Sequence, residues 1–167
     1  MPLSTDAAII AALVGAPRNR IHGKKRLQKI LAIAKDLGEQ IDTEFRLLHY
    51  GPFSADVAAH ADFLYYTGKI DCVEEQVGPN GYFTTVYTLS KGVEVPPQAD
   101  RLQRIASYLS TFTTLELEIA STLSYFLRSN SATRAEARTI EFKREKASAQ
   151  ILRKAKDILE GARNIAA

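Results

Sequence analysis

The chain has 167 residues, of which 46% are apolar and 25% charged, a length sufficient for one sizeable core and a composition that excludes wholesale disorder. Its lone cysteine, Cys72, excludes an internal disulfide or a cysteine-based zinc site and suits a reducing compartment. No apolar run reaches the ~18 residues of a membrane span, and the apolar stretch 7–14 lacks a preceding basic segment, so the expected location is cytoplasmic.

Net charge is +3, unevenly spread. Residues 18–29 hold six basic side chains and no acid, residues 30–100 are net −7, and residues 128–167 are net +5. Such asymmetry points to a polyanionic partner or to docking between the chain's own segments.

In chain order, Ser4 caps a helix over 5–14, which Gly15 and Pro17 end. Residues 15–23 read as a loop. A second helix over 23–38 places Leu27, Ile30, Leu31, Ala34 and Leu37 on one stripe, leaving Lys25, Gln28, Lys29, Ala32 and Asp36 on the opposite, solvent-facing side. Residues 45–50 alternate as a short strand, Gly51 and Pro52 turn the chain, and Ser54 caps a third helix over 55–67 that Gly68 closes. Strands over 69–77 and 82–89 form a hairpin through 78–81. The prolines of the segment 93–100 mark a linker.

Everything beyond is predicted helical. Leu102, Ile105, Ala106, Leu109 and Phe112 make one stripe; Thr113 with Glu116 forms a capping box before a helix with Leu115, Ile119, Leu123 and Phe126 inward; Thr133 with Glu136 suggests a second box. A break is expected near 142–146, where charges cluster. The predicted fold is α+β and mostly helical: a winged helix-turn-helix-like module over 1–94, then a helical segment over 95–167 that packs on the first module or mediates dimerisation.

The runs GKKRLQKILAIAKDLG (23–38), HYGPFSADV (49–57), TGKID (67–71) and YTLSKG (87–92) resemble the YwgA-like family of uncharacterised prokaryotic proteins, as does LELEIASTLSYFL (115–127) less specifically. The pairing of LQK with YGPFS also resembles, more distantly, the Panacea domains of SocA-like antitoxins. The first resemblance implies a fold and no settled activity. The second implies toxin neutralisation through protein contacts and assigns no binding residue here.

For nucleic acid, a recognition helix presents Arg, Lys, Asn or Gln to base edges. The third helix should bury Val57, Ala61 and Leu64, turning out Ala55, Ala59, Asp62 and Tyr66, a poor set for base reading. The predicted anion site is instead the basic segment: Arg18 and Arg20 clamping a backbone, with Lys24, Lys25, Arg26, Gln28 and Lys29 extending along the second helix. A solvated loop, or one paired with the acidic middle segment, is the competing interpretation. Tyr65, Tyr66 and Tyr82, with Phe83, suggest an aromatic patch for a protein partner, against ordinary rim packing.

No catalytic or metal site is predicted and no cofactor is expected. The spacing of Gly15, Gly23 and Lys24 does not fit a phosphate-binding loop. His22, His49 and His60 lack a ligand-rich arrangement. His60 instead reads as a partly buried, hydrogen-bonded histidine, and Cys72 as a packed thiol. Glu141 and Lys143 lack the further carboxylates of a magnesium nuclease. The expected function is non-enzymatic regulation, with nucleic acid bound through the basic segment and a homodimer formed through the C-terminal helices. An antitoxin-like or adaptor protein-interaction module is the alternative.

Overall fold

The computed structural model describes residues 2–167. The chain is α+β and mostly helical, with α1 (Thr5–Gly15), β1 (Arg20–His22), α2 (Lys24–Asp36), β2 (Arg46–Leu48), β3 (Gly51–Phe53), α3 (Ala55–Tyr66), β4 (Ile70–Val77), β5 (Tyr82–Leu89), α4 (Asp100–Leu109), α5 (Thr114–Leu127), α6 (Ala132–Lys143) and α7 (Ala149–Ala166). A three-stranded antiparallel sheet has the order β1-β5-β4, and β2 with β3 makes a separate small hairpin.

Local chemistry accounts for most boundaries. The Ser4 hydroxyl accepts from the Ala7 amide at the start of α1, and Ser54 does the same for Val57 at α3. Thr113 and Glu116 form the full capping box of α5, which satisfies two otherwise free amides at once. The second expected box is absent: Ser131, not Thr133, caps α6 by accepting from Arg134. The expected break falls at Lys143–Lys146, where Arg144 takes a left-handed φ of 54°.

Two short strands depart from expectation. Residues 20–22 are β1, paired Arg20 to Thr88, Ile21 to Tyr87 and His22 to Val86. Gly51 and Pro52 lie within β3, with Leu47 opposite Pro52, so the turn falls at His49 and Tyr50.

The C-terminal helices pack back on the N-terminal module, α4 against α1 and α5 against α2, with α7 behind both. Leu102, Ile105, Ala106 and Leu109 are buried within the same core cluster as α1 and α2. This arrangement reshapes α2. Every residue from Leu27 to Ala34 is buried, so Gln28, Lys29 and Ala32 do not lie on a solvent face: α5 covers the side that a lone amphipathic helix would expose.

Candidate functional site

The LQK and GPFS runs meet in space. The Gln28 side chain donates to the Ser54 carbonyl and accepts from the Ser54 amide, both at 2.9 Å. The Lys29 ammonium donates to the Pro52 carbonyl at 2.8 Å. Side chains of α2 therefore supply the hydrogen bonds that a third strand would have given β3, satisfying buried backbone groups that would otherwise be costly. The Ser54 hydroxyl, besides capping α3, lies 2.5 Å from that of Thr43.

Gly51 completes the joint. Its φ is 98°, a region that side chains strain to adopt. A Cβ there would stand 3.0 Å from Thr122 Oγ1 and 3.4 Å from Lys29 Nζ.

Beneath this joint lies a buried charge cluster. Glu118 of α5 accepts from Lys143 Nζ at 2.6 Å, and Lys146 stands 3.3 Å away. Lys143 also donates to the His49 carbonyl at 3.0 Å, tying α6 to the β2–β3 turn. Burial, reinforced by repulsion from Lys143, pulls the Lys29 ammonium down to about 8, Glu118 opposing it. Burial alone would raise Glu118, but its hydrogen bonds and attraction to Lys143 and Lys146 hold it below its usual value. For Lys143, burial outweighs Glu118 and the shift is downward. These are the signs expected for ammonium groups taken out of water beside too few carboxylates.

The residues of the basic segment are thus separated. Gln28 and Lys29 are internal, 5% and 2% exposed, and correct the expectation that they extend a solvent-facing basic surface. Arg20 pairs with Glu75 of β4 at 2.6 Å. Arg26 donates to the Phe112 carbonyl at 2.5 Å and reaches Ser110 O and Thr114 Oγ1, fastening α2 to the α4–α5 connection. Lys25 lies with Nζ 3.5 Å from the Tyr50 ring centroid. Arg18 and Lys24 are exposed.

A cleft of about 300 Å³ opens beside this joint, between the start of α2, the β2–β3 hairpin, α3 and Tyr87 of β5. Leu27, Leu48, Phe53, Val57 and Ala61 contribute apolar wall, while Lys24, Lys25 and Lys29 bring three amines against one acid, Asp62. Burial also raises the Tyr87 phenol to about 12.

The third helix buries Val57, Ala61 and Leu64 as its pattern requires. Tyr65, Tyr66 and Tyr82 are exposed, with Tyr66 at 83% and Tyr82 at 73%, and Phe63, Val73, Val77 and Phe83 are exposed with them. The rings of Tyr65 and Tyr66 stand 5.5 Å apart. His60 is 2.6 Å from the Asp6 carboxylate of α1, and Cys72 is a half-buried thiol whose pKa burial raises.

Glu118 and Lys143 escape a reading of the sequence for different reasons. Glu118 has a signal, because it lies three residues after Leu115 and four before Thr122, on the inward side of α5. Lys143 has none, since it sits in a charged run that reads as solvated.

Taken together, the described residues make a mostly helical α+β chain whose N-terminal elements are clamped to C-terminal helices by polar side chains of α2. The chain is similar to the uncharacterized protein YwgA of Bacillus subtilis (strain 168), 29% identical over 115 residues that cover 64% of this chain and 66% of that protein, just under two thirds of its length. No family model matches. No solved structure matches. No helix among the described residues is long and apolar enough to cross a membrane.

Proposed function

We propose that this chain is a non-enzymatic adaptor: a winged-helix-like scaffold that holds a protein partner on the face formed by α3 and the β4–β5 hairpin. The order α1, β1, α2, α3, β4, β5 and the sheet order β1-β5-β4 support the scaffold, with the β2–β3 hairpin inserted between the second and third helices. One observation carries the functional reading. Among the described residues, seven of the twelve exposed large apolar side chains fall between Phe63 and Phe83; Phe63, Tyr65 and Tyr66 lie on α3, while the strand register sets Val73, Val77 and Tyr82 on one side of the hairpin and Phe83 on the other, and such concentrations mark interaction surfaces.

Charge selects the partner class. Residues 55–83 hold five acids, Asp56, Asp62, Asp71, Glu74 and Glu75, and one lysine, Lys69; Glu75 is paired with Arg20, which leaves four acids against that lysine. In a winged helix this is the region that would approach DNA, and here it repels phosphate. A basic protein segment with apolar anchors is complementary to it. The likeness of the LQK and YGPFS runs to Panacea domains agrees with an antitoxin-like role within this class.

The test is affinity capture from nuclease-treated cell extract. The wild type should retain one stoichiometric protein, and Tyr66→Ser/Tyr82→Ser, altering exposed side chains alone, should lose it. Equal recovery by both, or recovery of nucleic acid alone before nuclease treatment, would contradict the proposal.

A second reading, non-specific nucleic-acid binding, rests on Arg18, Lys24 and Lys25, which still face outward. Three phosphate contacts limit the slope of log affinity against log salt to about −2.7, and Arg18→Ala/Lys24→Ala should flatten it by about 1.8. A steeper slope, or one unchanged by the substitutions, would exclude this segment as the site.

A further inference from the structure

We propose that the cleft between α2, the β2–β3 hairpin and α3 binds a small apolar monocarboxylic acid, its carboxylate paired with Lys25 and Lys29 and its tail lying on Phe53, Val57 and Ala61. This inference does not rest on the partner-binding reading, which concerns the aromatic face of α3 and the wing.

Shape comes first. A volume of about 300 Å³ stands at the lower end of the range for small-ligand pockets, ~300–1,000 Å³. The room exists because Ala58 and Ala61 of α3 and Gly51 of the hairpin line it with small groups. Apolar side chains form most of the remaining wall, so the bulk of an occupant is hydrocarbon.

The charge pattern specifies the other end. Lys25 and Lys29 are one turn apart on α2, the i,i+4 spacing that makes them neighbours, and both line the cleft. Lys29 is almost wholly buried, yet its ammonium makes a single hydrogen bond among the described residues, to the Pro52 carbonyl. An ammonium has three protons to donate. Two therefore have no partner among the described residues, on a buried side chain that lines the cleft, and an unmatched buried donor is costly.

The charged groups facing Lys29 from neighbouring elements do not remedy this. Glu118 of α5 is already held by Lys143 and Lys146, while Lys25 and Lys143 repel Lys29. A ligand carboxylate would satisfy the free donors and cancel the repulsion together. No arginine lines the cleft, so it lacks the planar fork that phosphate esters commonly engage. A single carboxylate suits two point charges.

Calorimetric titration of the full chain with sodium octanoate and, separately, with 1-octanol tests this. Octanoate should bind at one site, and octanol, lacking the charge, about tenfold or more weaker, the worth of one hydrogen bond to a charged group. Lys25→Ala, at an exposed position, should weaken octanoate by a similar factor without affecting the fold. Ala61→Leu should fill the cavity and abolish binding, with circular dichroism confirming that the variant is folded. Equal affinity for acid and alcohol, full affinity in Lys25→Ala, or no saturable binding of octanoate would each overturn the proposal.

Discussion

Replacing Gln28 by alanine removes both halves of its bracket on Ser54, leaving a buried amide and a buried carbonyl without partners. At about 1–3 kcal/mol for each orphaned group, Gln28→Ala should cost roughly 2–6 kcal/mol in urea unfolding. Ser54→Ala, which loses a cap, should cost about 1 kcal/mol. A Gln28 substitution no worse than a surface one would mean that the bracket does not hold β3. Gly51→Ala meets two separate obstacles, a left-handed φ and the Thr122 hydroxyl. Adding Thr122→Ala should therefore recover part of the loss in a double-mutant cycle and leave the backbone strain behind.

Lys29 makes stability depend on pH with a sign opposite to that of a paired lysine. The unfolded chain keeps this proton up to about 10.5, whereas the folded chain gives it up near 8. Between those values the unfolded state binds more protons, so stability rises with pH. Tyr87, whose phenol is held up to about 12 in the fold, reverses the trend above its ordinary value near 10. Urea midpoints measured from pH 7.5 to 9.5 should climb in the wild type and stay flatter in Lys29→Met. Parallel curves would contradict the burial of a charged ammonium.

At the level of elements, much was legible from spacing alone. The core stripes of α3 and α4, the caps Ser4 and Ser54, the box at Thr113 and Glu116, and the β4–β5 hairpin follow from periodicity and hydrogen-bond chemistry that a few residues determine. The strands β1 and β3 were not legible, because each has three residues and its pairing is decided by a distant partner. In β3, Gly and Pro carry a turn signature even as Leu47 lies opposite Pro52. The second buried face of α2 was hidden for a related reason. Gln28 and Lys29 are polar, and only the arrival of α5 and the hairpin turns them inward. Ala32→Arg should consequently unfold the chain, whereas Ala59→Arg on the exposed side of α3 should be nearly neutral, as thermal melts would show. Similar melting temperatures for the two variants would return α2 to the surface.

Across the whole molecule, the two segments distinguished by sequence share one core. The α1–α4 and α2–α5 packings, the Arg26 contacts to Phe112 and Thr114 and the Lys143 bond to His49 all join them. A fragment of residues 2–94 should give a collapsed, poorly dispersed amide NMR spectrum, since it leaves the second face of α2 uncovered. The central claim is that half of the basic run ahead of residue 30, Arg20, Arg26 and Lys29, holds the fold together, and the proposed partner surface on α3 and the β4–β5 hairpin is built on that. Lysine acetylation of the native chain, followed by mass spectrometry, tests it most directly. Lys24 and Lys25 should label quickly, Lys29, reached only through the cleft and held on the Pro52 carbonyl, more slowly, and Lys143, buried on Glu118, not until the chain unfolds; labelling of Lys29 and Lys143 at the rate of Lys24 would contradict the account.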